Sequence, residues 1–264
     1  MPFYLPAKKR IVFGISMFLS FVFMNAEFRS AQAEPPEGYK LVWGDEFDGN
    51  QLDLKKWTYR GLGPRRKAVN TKDCITLDGK GHLLITTKRE GDEVHTGMIA
   101  TNGIFETTFG YFECRVKFQD QPGHWSAFWL QSPTVNKVGD PKENGTEIDI
   151  FEYLVRYPTT MHQNLHWDGY GKEHKTSGKK TEIKNLPEDF HTIGLLWTPE
   201  EYVFYVDGVE TFRSKEAVSH RSEYIILSQE VDSWGGPIEG VELPDSSVFD
   251  YVRVYQKAAA EVKN

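Results

Sequence analysis

The sequence predicts an all-β fold, a sandwich of two sheets, and three observations lead there. Short runs with period-two side-chain character recur along the chain, glycine and proline separate them, and no segment carries a long helical period with caps. His82-Leu83-Leu84-Ile85-Thr86-Thr87 follows the turn Asp78-Gly79-Lys80-Gly81, and Tyr111 to Lys117 alternates strictly. Tyr202–Val206 and Val209–Phe212 flank Asp207-Gly208, a strong two-residue hairpin signal. Val248 to Tyr255 closes the series as another alternating strand. The polar stretch from Gly171 to Asn185, with its lysines, reads as a solvated loop. The tail from Ala258 to Asn264 reads as frayed.

The N-terminus reads as an export signal. Lys8, Lys9 and Arg10 precede an apolar run from Ile11 to Met24, and Ala31-Gln32-Ala33 supplies a small-x-small cleavage pattern. The run is shorter than the roughly 20 apolar residues of a membrane helix. The expected division is therefore a signal peptide over 1–33 and one domain over 34–264, secreted to an extracellular or periplasmic space and free of the membrane after cleavage. Cleavage removes four cations and one anion, taking the formal net charge from -7 to -10. An acidic chain without clustered lysine and arginine argues against a nucleic-acid partner. A monomer is expected. Cys74 and Cys114 either pair after export or stay as thiols.

The chemistry concentrates in Gly145-Thr146-Glu147-Ile148-Asp149-Ile150-Phe151-Glu152-Tyr153. Three acids crowd together with no adjacent cation, which costs repulsion unless a site uses it. Strict alternation would put Phe151 on the acidic face and bury Glu152, the unfavourable way round. One extra residue near Ile150 and Phe151, a β-bulge, turns Phe151 inward and returns Glu152 to the face of Glu147 and Asp149. Two carboxyls so placed suit a retaining glycosidase, which holds its pair roughly 5–5.5 Å apart.

This run resembles the Glu-x-Asp-x-x-Glu signature of glycoside hydrolase family 16 in its bulged form. The resemblance extends in order through Trp43–Gly49, Gly110–Arg115, Gly123–Leu130, Trp197–Glu200 and Asp250–Tyr255. It implies a curved jelly roll, concanavalin A-like, with an open concave cleft. It also implies Glu147 as nucleophile, Asp149 as its assistant and Glu152 as acid/base, with no cofactor in catalysis. The implied activity is endo-hydrolysis of a β-linked polysaccharide, first a β-1,3- or mixed-linkage glucan and second a β-galactan such as agar, porphyran, carrageenan or a mucin-type chain. A lectin-like glucan-binding protein is the non-enzymatic alternative, and such proteins typically lack one or both of the acids, whereas Glu147 and Glu152 are both present here. One departure weakens the glucan assignment. Laminarinases carry a tryptophan shortly before the nucleophile, where this chain has Pro141-Lys142-Glu143-Asn144-Gly145-Thr146.

Period-two arithmetic then extends the site. Glu113 and Arg115 share a face and, by the resemblance, lie beside the sugars; otherwise they form a surface ion pair. Trp125, Ala127 and Trp129 share another face, with Trp125 expected as a sugar platform and Trp129 as platform or core. His162, Asn164 and His166 line up on the following strand to bond sugar and Glu152, though His162 is equally explained as surface. Trp234 falls where relatives carry cleft residues. Glu46, Gly81 and Asp250 match positions of a structural Ca²⁺ in relatives, and plain turn roles explain them as well.

Overall fold

A computed structural model describes residues 35–258 together with Met1. The predicted signal segment, beyond Met1, and the tail from residue 259 lie outside the described residues.

Eighteen strands carry almost all the regular structure among the described residues. The first nine are β1 (Tyr39–Asp45), β2 (Thr58–Tyr59), β3 (Gly63–Arg65), β4 (Ala68–Asn70), β5 (Ile75–Leu77), β6 (Leu83–Glu90), β7 (Glu93–Thr96), β8 (Met98–Ala100) and β9 (Gly110–Lys117). After β10 (His124–Gln131) comes the short helix α1 (Pro141–Asn144), then β11 (Glu147–Leu154), β12 (Thr160–Trp167), β13 (Lys175–Glu182), β14 (His191–Trp197) and β15 (Tyr202–Val206). The chain ends in β16 (Val209–Ser214), β17 (Tyr224–Val231) and β18 (Asp245–Lys257).

They form two sheets. One has seven strands in the order β13-β12-β11-β10-β17-β8-β2. The other has eleven, with the path β16-β15-β14-β9-β18-β6-β7-β4-β3, β1 paired to β18 and β5 to β6. All pairings are antiparallel except β4 with β7. The main core lies between the sheets: Phe128, Leu130, Ile148 and Phe151 from the first meet Phe112, Val116, Phe204 and Val252 from the second. This is the mostly antiparallel sandwich that the alternating runs predict, jelly-roll-like as the resemblance implies.

The bulge in β11 is present. Pairing with β12 runs Glu147–His166, Ile148–Leu165 and Asp149–Asn164, then slips before Glu152–His162. On the other side, Phe128 opposes Phe151 while its neighbour Trp129 opposes Asp149, so Ile150 is the extra residue. Ile150 and Phe151 are both fully buried, and Glu152 emerges on the acidic face. The entry to β11 is tight as well. Gly145 has φ +85°, and a Cβ there would stand 2.1 Å from the Cβ of Ser132. Only glycine fits.

One sequence expectation needs amending, and one question left open there has an answer. Gly171–Asn185 is not simply a loop: Lys175–Glu182 within it is β13, an edge strand of the seven-stranded sheet. With both faces wet it has no apolar alternation, and lysines on such an edge oppose unwanted pairing. Cys74 and Cys114 are both buried free thiols. Cys114 faces the core between the sheets, so compartment alone did not decide their pairing. No helix among the described residues is long and apolar enough to cross a membrane.

Phe151 is the side chain that the bulge turns inward, meeting Phe118 edge-to-face at 5.2 Å and stacking against Phe249 at 6.4 Å between ring centroids. Phe151→Ala is expected to cost about 3–5 kcal/mol of stability, as measured by urea unfolding.

Candidate active site

The outer face of the seven-stranded sheet, away from the core, forms a cleft of about 480 Å³. Glu147, Asp149 and Glu152 project into it from β11, and Trp125, Ala127, Trp129 and Gln131 from β10. Ser228 and Glu230 enter from β17, and Arg60, Arg65 and Arg66 close the side beyond.

Each acid is held differently. Glu147 Oε2 accepts a hydrogen bond from Gln131 Nε2 at 2.8 Å and a second, short one from the Tyr170 hydroxyl. Asp149, only 5 % exposed, meets His166 Nε2 at 3.2 Å. Glu152 accepts from Trp125 Nε1 at 3.1 Å and from Asn164 Nδ2 at 3.0 Å. Burial, followed by the charges of Glu147 and Glu230, pushes the Asp149 carboxyl well above the usual range. Burial first, then Asp149 and Glu147, does the same to Glu152, against the opposing Asn164 hydrogen bond. These two groups therefore hold protons to higher pH than free carboxyls.

The β12 residues come where the register puts them, and their partners are now specific. Asn164 grips Glu152, with Gly178 of β13 leaving it room: a Cβ there would fall 2.3 Å from Asn164 Oδ1. His166 reaches Asp149, not Glu152, and its other nitrogen lies 3.0 Å from His174 Nε2. His162 is buried rather than a surface residue, packed edge-on against Trp234 at 5.4 Å, with Nε2 lacking a partner. Burial, with Lys180 adding, pulls its imidazole down to about 4. Trp234 in turn meets Trp125 at 5.2 Å. Trp125 is 3 % exposed, with Arg66 over its ring at 5.3 Å, so what it offers the cleft is an N–H for Glu152 rather than an open platform. Trp129 is both lining and core, in a small cluster with Met98, Ala100 and Tyr224.

Glu113 and Arg115 are a correction. They lie on β9 in the eleven-stranded sheet, facing away from the core and hence on the opposite side of the sandwich from the cleft. Glu113 accepts from the Tyr111 and Tyr251 hydroxyls, and Arg115 pairs with Asp250 at 2.6 Å. Both are structural here.

Sequence reasoning missed Gln131, Tyr170 and the arginines. Gln131 continues the period-two face of Trp125 and Trp129, so extending that arithmetic by one step finds it. Tyr170, Arg60, Arg65 and Arg66 come from segments outside that alternation and leave no periodic mark.

Glu147, Asp149 and His166 also bring ligand-type atoms within 4.8 Å of one another, a cluster that offers a metal two carboxylates and an imidazole. The calcium positions look different. The Glu46 carboxylate is held by Arg253 at 2.7 and 2.8 Å, and that of Asp250 by Arg115. Gly81 sits near the Glu46 carbonyl, 3.8 Å from where a Cβ would be. With both carboxylates engaged by guanidinium groups, backbone carbonyls are the oxygens this set would chiefly offer a hard cation.

Residues 64–232 match the family described as Glycosyl hydrolases family 16. The chain belongs to that family. It is an endo-acting glycosidase of the family 16 type. It is 28% identical to a β-glucanase of Rhodothermus marinus, over 94% of this chain and 96% of that one. It is also 28% identical to a keratan-sulfate endo-1,4-β-galactosidase of Sphingobacterium multivorum, over 83% of this chain but only 55% of that protein, about half its length. The solved laminarinase from Flavobacterium sp. UMI-01 superposes with a TM-score of 0.72 at 29% identity, covering 82% of this chain and all of that one.

Beneath the entry to β11 lies Glu223, wholly buried, whose Oε1 accepts from the Thr146 N–H at 3.1 Å. Burial raises its carboxyl to about 8, with the charge of Glu147 adding to the effect. A raised carboxyl favours the folded state below its unfolded value, and that contribution is lost as pH rises through about 8. Urea midpoints measured from pH 5 to 9 are expected to fall for the wild type and to fall less steeply for Glu223→Gln.

Proposed function

We propose that the protein hydrolyses internal bonds of a β-linked polysaccharide with retention, with Glu147 as nucleophile, Glu152 as acid then base, and Asp149 as the assisting group. The observation that carries this reading is the bulged strand that gathers all three carboxyls on one cleft face with unlike partners. Both donors to Glu147 grip Oε2, which leaves Oε1 to attack the anomeric carbon. As that bond forms, Glu152 gives its proton to the glycosidic oxygen and the leaving chain departs as an alcohol.

The second half follows from the electrostatics. Once Glu147 is an ester its charge is gone, and with it one of the influences holding the Glu152 carboxyl high. Glu152, now more acidic and already deprotonated, takes a proton from water as the water oxygen attacks the anomeric carbon. The sugar leaves with its original configuration and Glu147 returns as a carboxylate. His166 holds Asp149 in place between the two, and Asn164 with Trp125 fixes the rotamer of Glu152.

The backbone sugar is first a β-glucan, supported by the likeness to the β-glucanase and the laminarinase. A β-galactan stands second, supported by the galactosidase relative. Export of the enzyme rests on the signal pattern in residues 8–33. N-terminal sequencing of secreted protein is expected to start at Glu34; a first residue upstream of Lys8 sinks the cleavage site.

Turnover on laminarin, lichenan, agarose, carrageenan and porphyran is expected on at least one, with the β-anomer appearing first by proton NMR. Glu147→Gln is expected to lose turnover while staying folded; substantial residual hydrolysis rejects it as nucleophile. Glu152→Gln is expected to slow polysaccharide cleavage about 10²–10⁴-fold. An aryl glycoside whose phenol leaves without protonation should be slowed far less, and equal losses on both substrates count against Glu152 as the acid.

A further inference from the structure

Three arginines wall one side of a cleft whose floor is acidic. Arg65 and Arg66 share a single carboxylate, Glu230, at 2.6 and 2.5 Å, and Arg66 extends to Asp232 at 3.5 Å. Arg60 has no acid partner among the described residues. Its Nη2 donates to Gln131 Oε1 at 2.7 Å, and its guanidinium lies over the Tyr224 ring at 5.1 Å. The wall therefore carries three positive charges against two negative ones. Arg65 Nε adds a buried donor without a partner.

We propose that this wall receives an anionic substituent of the polysaccharide, a sulfate ester or a carboxylate, with Arg60 as the residue that reads it. The inference rests on the reading of the cleft as a polysaccharide site. A guanidinium partly withdrawn from water beside neutral groups has unused donors in a planar fork, and that fork matches two oxygens of a sulfate or carboxylate. A sugar hydroxyl offers one weak acceptor and does not need it. Glu230 keeps Arg65 and Arg66 extended into the cleft, so their remaining charge is already oriented when the glycan arrives.

Position narrows the substituent further. Gln131 joins Arg60 to Glu147, accepting from one and donating to the other at 2.7 and 2.8 Å. The guanidinium thus stands one amide group from the nucleophile. The charged substituent belongs to the sugar that Glu147 attacks or to its immediate neighbour. A competing explanation is that Arg60 merely offsets the carboxylates. That role would act on every substrate alike, whereas recognition acts only on charged ones.

The test compares matched substrates: a sulfated β-galactan with its desulfated form, and a β-glucan with its 6-carboxylated derivative. The wild type is expected to prefer one anionic member in kcat/KM, and which one identifies the group as sulfate or carboxylate. Arg60→Gln is expected to lower that preference, the ratio of kcat/KM on the charged member to that on the neutral one, about 10- to 100-fold, the worth of a hydrogen bond to a charged group, while any loss passed on through Gln131 falls on both members alike and leaves the ratio untouched. Arg60→Lys, which keeps the charge but not the fork, is expected to fall between. Equal wild-type activity on charged and neutral members overturns the inference, as does an equal loss on both in Arg60→Gln. Binding of the same oligosaccharides to Glu147→Gln, with and without the Arg60 change, separates the two proposals. Charge-selective binding without wild-type turnover rejects the hydrolysis and keeps the anion site. Turnover of neutral chains without selectivity does the reverse.

Discussion

Mutual repulsion among three carboxyl groups on one strand face is the constraint around which the cleft is organised. Left alone, Glu147, Asp149 and Glu152 would unfold the strand that carries them or stay protonated together. The structure divides the problem. Glu147 receives two neutral donors, Asp149 an imidazole, and Glu152 an indole and an amide, while burial raises the proton affinity of the latter two. The bulge at Ile150 makes the division possible, because it sets Glu152 apart from the other acids while keeping it on their face.

That division also explains the asymmetry of the sandwich. The seven-stranded sheet carries the chemistry on its outer face, and its inner face must be apolar to hold against the second sheet. The eleven-stranded sheet has its own outer polar residues, and two of its acids are matched with guanidinium groups: Asp250 with Arg115 and Glu46 with Arg253. In the cleft Glu230 has its own arginines, but Glu147 and Glu152 are held by neutral donors with no cation paired to either.

The contrast marks what the sequence could disclose. The carboxylate strand was legible because its bulge corrects a visible fault, a buried acid beside an exposed phenylalanine. The β12 triplet was legible through register, since His162, Asn164 and His166 must face whatever β11 presents. Glu113 and Arg115 show where period two stops: it says which residues share a face but not which sheet the strand joins. Ion pairs such as Arg65 with Glu230 join residues 165 positions apart, and no local pattern reports them. β13 escaped for another reason, since an edge strand wet on both sides has the composition of a loop.

Gly178 sits on that edge strand, in the part of the molecule where substitution should matter least. Its neighbours on β13, Lys179 and Lys180, are exposed, as surface strands usually are. Yet any side chain at Gly178 would displace Asn164, and with it the grip on Glu152 one strand further in. Mutational tolerance along β13 is therefore uneven. An otherwise permissive peripheral strand holds one site whose latitude is set by a carboxylate two strands away.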